Sequence, residues 1–83
     1  MEKKIYSIYD KKLKRYNVPG FDDDDNTIRI GLSRQLKNKN EFLYVNRDDL
    51  ALYCLGSFDD KTGILCANAV PELVCDISNL TED

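Results

Sequence analysis

Carboxylates are the side chains this sequence gathers most densely: Asp22-Asp23-Asp24-Asp25-Asn26 forms one run, and Asp48-Asp49 and Asp59-Asp60 form pairs. Such groups hold divalent cations, and paired carboxylates around magnesium cleave phosphodiesters. Spacing argues against calcium in the long run. A calcium loop opening at Asp22 requires Gly at position 27 and Glu at 33, where the chain has Thr27 and Ser33. Acids ahead of an amphipathic segment read instead as a helix start, with Asp25 or Asn26 as N-cap. Asp59-Asp60 falls in an expected turn, where aspartate bonds its own backbone. The sequence has no histidine for general-base work and no Gly-rich phosphate loop, and its cysteines lack basic neighbours that would activate them. The expectation is a protein without catalytic residues, metal or cofactor.

Cations and tyrosines make the second constellation. Lys3, Lys4, Lys11, Lys12, Lys14 and Arg15 surround Tyr6, Tyr9 and Tyr16, and Arg29, Arg34 and Lys37 follow on a predicted helix. Basic side chains can track phosphates while exposed tyrosines stack on bases, so Lys3, Lys4, Lys11, Lys12, Lys14, Arg15, Tyr16, Arg29, Arg34 and Lys37 are the candidate nucleic-acid contacts. The net charge of −3 conceals an asymmetry: residues 1–40 carry +4 and residues 41–83 carry −7. One cationic region on an acidic protein suits a polyanion partner better than a general nucleic-acid coat. Lysines on a sheet edge also deter aggregation, and tyrosines in small domains commonly serve as core or interface rings.

Elements to position these residues can be read along the chain. Residues 3–9 are β-branched and aromatic, placing Ile5 and Tyr9 on one face of a strand and Tyr6 and Ile8 on the other. A two-faced strand of this kind is central, covered by a helix or a second copy of the chain. Asp10-Lys11-Lys12 turns the chain into a second strand, Leu13 to Val18, which Pro19-Gly20 should end. A helix over Thr27 to Asn38 sets Ile28, Leu32 and Leu36 in one stripe. Gly31 within it costs about 1 kcal/mol relative to alanine and suggests close approach to a strand.

Phe42 to Val45 is expected to form a packed loop. Leu50 to Cys66 has the strongest pattern, a hairpin whose connection, Asp59-Asp60-Lys61-Thr62-Gly63, ends in the glycine a looped turn requires for positive φ. Pro71, with Leu73, Val74 and Ile77 at helical spacing behind it, predicts a short C-terminal helix. Cys54, Cys66 and Cys75, an odd number without Cys-x-x-Cys spacing, read as small core residues in a reducing cytoplasm. With 83 residues, no apolar leader and no run long enough to span a bilayer, the expectation is one soluble domain that makes no membrane contact. Its expected class is α+β: a small antiparallel sheet from two β-hairpins, one central helix packed on it and a short C-terminal helix.

Three blocks in this order resemble the small nonstructural protein of gokushoviruses, a branch of the microviruses, single-stranded DNA phages. They are Lys4-Ile5-Tyr6-Ser7-Ile8-Tyr9-Asp10, the helix start Asn26-Thr27-Ile28-Arg29, and the stretch from Asp49 through Leu50-Ala51-Leu52-Tyr53-Cys54-Leu55-Gly56-Ser57-Phe58 to Gly63. The chain departs from the family pattern at Gly31, where a bulky aromatic is common, and at Arg47, where a proline is common. The resemblance implies a protein made during infection and left out of the virion, assigned to DNA binding or to the step from duplex replication to single-strand production. Together with the basic and tyrosine residues it gives the leading expectation, a DNA-binding accessory protein for single strands in the host bacterial cytoplasm, acting in replication or in the switch to single-strand synthesis. It brings no catalytic residues. The alternative expectation is a non-enzymatic module that binds a host or phage replication or assembly protein, and a homodimer or higher oligomer is compatible with either.

Overall fold

Strand β1 (Glu2–Asp10) takes the central place its two-faced pattern predicts. A computed structural model describes residues 2–80. One edge of β1 pairs along its whole length with β4 (Leu50–Asp59), antiparallel, from Glu2 opposite Asp59 to Asp10 opposite Leu50. Its other edge is met twice, first by β2 (Arg15–Tyr16) and then by β3 (Gly20–Asp22). Strand β5 (Leu65–Asp76) pairs with β4 and closes the order β2-β1-β4-β5, with β3 beside β1. This is an α+β fold, and the two hairpins join through β1 and β4.

The first turn is built by Asp10. Its carboxylate accepts from the Lys12 and Leu13 backbone N–H groups at 2.9 and 3.0 Å, and Lys14 closes the turn at φ 57°. That left-handed conformation is uncommon outside glycine. Pro19-Gly20 does not end the ribbon as expected: proline interrupts the ladder, and the chain re-engages β1 at Gly20 opposite Tyr6. The expected strand over 13–18 is therefore reduced to Arg15–Tyr16, and β3 adds an unexpected second contact beyond an arch at 17–19.

Helix α1 (Asp25–Gln35) begins two residues earlier than expected, because the N-cap is Asp24, whose carboxylate accepts from Thr27 N at 2.7 Å. It ends at Gln35, short of the expected Asn38. The stripe of Ile28, Leu32 and Leu36 packs on the sheet against Tyr6, Leu50, Leu52 and Cys54. Burial of each such leucine contributes about 1.5 to 3 kcal/mol, which is how a sheet this small holds a helix. Gly31 faces open space and approaches no strand, contrary to expectation.

Phe42–Val45 is a single helical turn, α2, and not an irregular loop; it drives Leu43 into the core while Phe42 and Val45 stay exposed. The β4–β5 connection matches its prediction, with Gly63 at φ 76° and Gly63 N donating to Asp59 O at 2.8 Å.

The predicted C-terminal helix is overturned. Residues 72–76 lie in β5, Glu72 opposite Cys54 and Cys75 opposite Leu52, because β4 offers them a ladder that the helical spacing of Leu73, Val74 and Ile77 cannot reveal. Pro71 is accommodated in an insertion where residues 68–71 oppose Leu55 alone, and the Asn68 side-chain amide donates to Cys54 O at 3.1 Å in place of backbone. Only Ile77–Asn79 forms a 3-10 turn, with Ile77 fully buried. Of the cysteines, Cys54 is buried, Cys75 is half-buried and Cys66 is exposed, so Cys66 is not the core residue expected. No helix among the described residues is long and apolar enough to cross a membrane.

Candidate nucleic-acid interface

Because α1 covers one face of the sheet, strand alternation sends every second side chain to the other face, which no element among the described residues covers. Tyr9 and Tyr16 sit opposite one another on β1 and β2, and Tyr53 joins them from β4 opposite Ser7. Their ring centroids lie 4.7 Å (Tyr9 to Tyr16), 5.6 Å (Tyr16 to Tyr53) and 6.0 Å (Tyr9 to Tyr53) apart, tilted or edge-on. These are favourable aromatic separations, and they hold the rings as one unit. Tyr16 is 42% exposed. Mutual burial, and then the neighbouring Tyr53 and Tyr9, push the Tyr16 hydroxyl above its ordinary value.

A second aromatic pair occupies the far end of the same face. Phe21 on β3 and Phe58 on β4 stand edge to face at 5.7 Å, flanking β1 at Ile5 and Lys3. A cleft lined by Lys3, Phe21, Phe58, Asp22, Asp23 and Asp60 opens between them. Rings at both ends thus point to the same side, but their charged surroundings differ.

The ten predicted contacts divide accordingly. Lys12, Lys14, Arg15 and Tyr16 lie together at the β1–β2 turn, exposed and, for the three cations, without an ion-pair partner among the described residues. Lys3 is engaged by Asp23, whose hydrogen bond holds the ammonium above its usual value. Lys4 stands 3.7 Å from Asp25. Lys11 reaches Asp76 at 2.9 Å, a bond that likewise raises its pKa. Arg29 and Arg34 on α1, and Lys37 just beyond it, are exposed in the layer on the opposite face of the sheet.

Each residue of the long acidic run has its own structural task. Asp22 accepts from Asp23 N, Asp23 holds Lys3, Asp24 caps α1, and Asp25 accepts the Tyr6 hydroxyl. Burial first, and that carboxylate second, keep the Tyr6 phenol protonated well past its ordinary range. The residues sequence reasoning passed over are Tyr9, Tyr53, Phe21 and Phe58. Parity marked Tyr9 in advance, but only cross-strand register brings Tyr53 beside it.

No curated protein and no solved structure matches the chain. A family model described as Phage ORF5 protein matches residues 3–80, nearly the full length, and the chain therefore belongs to the phage ORF5 protein family.

Proposed function

We propose that this phage protein is a nonstructural, non-enzymatic accessory factor of the gokushovirus branch. In this reading it binds single-stranded DNA in the host bacterial cytoplasm and acts in genome replication or the switch to single-strand synthesis. The tyrosine trio next to the turn that carries Lys12, Lys14 and Arg15, cations without an ion-pair partner among the described residues, is the observation that supports it. An open sheet face gives unpaired bases a surface for stacking, worth about 1 to 3 kcal/mol per base, while cations at its rim take the phosphates. A duplex keeps its bases stacked inside and would gain only the phosphate contacts. Lys3, Lys4 and Lys11, held by carboxylates, and Arg29, Arg34 and Lys37, on the other layer, act in this reading through the field they create and not by direct contact.

Fluorescence anisotropy with labelled single-stranded and duplex oligonucleotides across a salt series tests the proposal. Three phosphate contacts give a log–log salt slope near −2 for single strands, from about −0.7 per contact. Single strands are expected to bind more tightly than duplex, and Tyr16→Ala is expected to weaken single-strand binding by roughly fivefold or more. Absence of salt-dependent binding at low ionic strength would remove the DNA reading.

The second reading, a module for a replication or assembly protein or for self-association, is favoured by β5. That edge strand exposes Leu65, Val70 and Leu73 at 62, 67 and 57%. A pull-down from infected cells, with and without nuclease, separates a direct protein partner from one bridged by DNA.

A further inference from the structure

The interruption at Pro19 leaves an opening at the sheet edge. Between β2 and β3 the chain arches away from β1, anchored by Asn17 N to Ile8 O at 2.9 Å and by the Ser7 hydroxyl, which donates to Asn17 O at 2.6 Å. Beneath the arch is a cavity of about 250 Å³ reaching toward α1, with Ile8, Ile28, Leu32 and Leu52 as its apolar lining and Asn17 and Gly20 at the edge strand. Gly20 is opposite Tyr6, on the covered side of the sheet, and a Cβ built there would meet nothing within 4 Å. The missing side chain is thus part of what keeps the cavity open. The Asn17 side-chain amide has no partner among the described residues.

We infer that this cavity receives one purine base turned out of a bound single strand, adenine above all, with the Asn17 amide reading its edge. The inference rests on the DNA-binding reading and adds base selectivity to it. An apolar cavity of about 150 Å³ holds benzene, so this one has room for a fused two-ring heterocycle, and it is smaller than the roughly 300 Å³ at which drug-sized ligand sites begin. Asparagine offers an acceptor and two donors in one plane, the pairing adenine accepts. Asn17 follows directly on Tyr16 of the stacking trio, and Lys14 and Arg15, without ion-pair partners among the described residues, stand three and two residues back to hold the flanking phosphates. An aliphatic side chain from a partner protein would fill the apolar part and leave both the amide and the cations unused.

Labelled oligo-dT with and without one central dA, compared by anisotropy, provides the test. In the wild type the single dA is expected to tighten binding about tenfold, within the range of a bidentate asparagine contact. Asn17→Ala removes the amide and Gly20→Ile fills the space; each is expected to erase the dA preference while leaving oligo-dT affinity within about twofold, since neither side chain is one of the rings or cations that hold oligo-dT in this reading. Tyr16→Ala should weaken both oligomers equally. Circular dichroism checks that Gly20→Ile folds, and Asn17→Ala decides if it does not. Binding of oligo-dT with no dA preference would overturn this inference alone, as would a preference that survives both variants. Failure to bind either oligomer overturns it together with the DNA reading.

Discussion

The two ends of the open face carry the same kind of ring in opposite electrostatic settings. At one end Tyr9, Tyr16 and Tyr53 adjoin the β1–β2 turn that carries Lys12, Lys14 and Arg15; at the other Phe21 and Phe58 line a cleft in which Lys3 faces the carboxylates of Asp22, Asp23 and Asp60. From Tyr9 to Ile5, four residues along β1, the face extends about 13 Å. That exceeds the Debye length of about 8 Å at physiological salt, so each end keeps its own sign. Aromatic content alone therefore does not choose a ligand. The charged rim decides which end can receive phosphate, and only the tyrosine end is suited to it.

Gly56→Ala should destroy both ends at once. Gly56 sits between them opposite Ile5, and a Cβ there would stand 2.1 Å from Cys66 O. Backbone cannot yield as a flexible side chain can, so a loss of about 3 kcal/mol or more in denaturant unfolding is expected. Reversing the tyrosine rim with Lys12→Glu, Lys14→Glu and Arg15→Glu together should leave the fold intact and weaken single-strand binding by about 100-fold or more at low salt, flattening the salt dependence. Retained affinity in that variant would break the distinction between the ends. A gentler change works from the other side: Asp22→Asn with Asp23→Asn should tighten binding a few-fold at low salt, an effect that disappears at high salt by screening.

The smallest effect is in pH. Lys3 at the phenylalanine end and Lys11 near the tyrosine end are both held above their ordinary 10.5, and Tyr6 above its ordinary 10.0. Groups raised on folding stabilise below their unfolded values, and that contribution is lost as pH climbs through the folded ones. Asp24 is lowered from 3.8 by its cap bonds to Thr27, so its contribution is present above that value and is lost as pH falls below it. The melting temperature should therefore hold level between these limits, decline above about pH 10, and decline less steeply there in Tyr6→Phe.

Local signals were sufficient for β1, for the Ile28, Leu32 and Leu36 stripe and for the hairpin ending in Gly63, because periodicity and turn chemistry act within a few residues. They failed where a distant partner decides. Leu73, Val74 and Ile77 suit a helix as well as a strand, and β4 settles the choice. Pro19 does break the ladder, but nothing local shows that the chain returns to β1 one residue later. The same limit applied to the candidate site. Lys12, Lys14, Arg15 and Tyr16 were readable as a cluster because they are neighbours in sequence, whereas Tyr53 and Phe58 join the face through the β1–β4 register.

That register also governs how the protein is made. Glu2 meets Asp59 and Tyr9 meets Ala51, so these β1 residues are translated 57 and 42 residues ahead of the partners they pair with. At about 5 to 20 residues per second, the tyrosine-rich leading segment waits several seconds before closure is possible, and contacts this remote in sequence form slowly. Until then, its unpaired edges are open to chaperones and to other nascent copies.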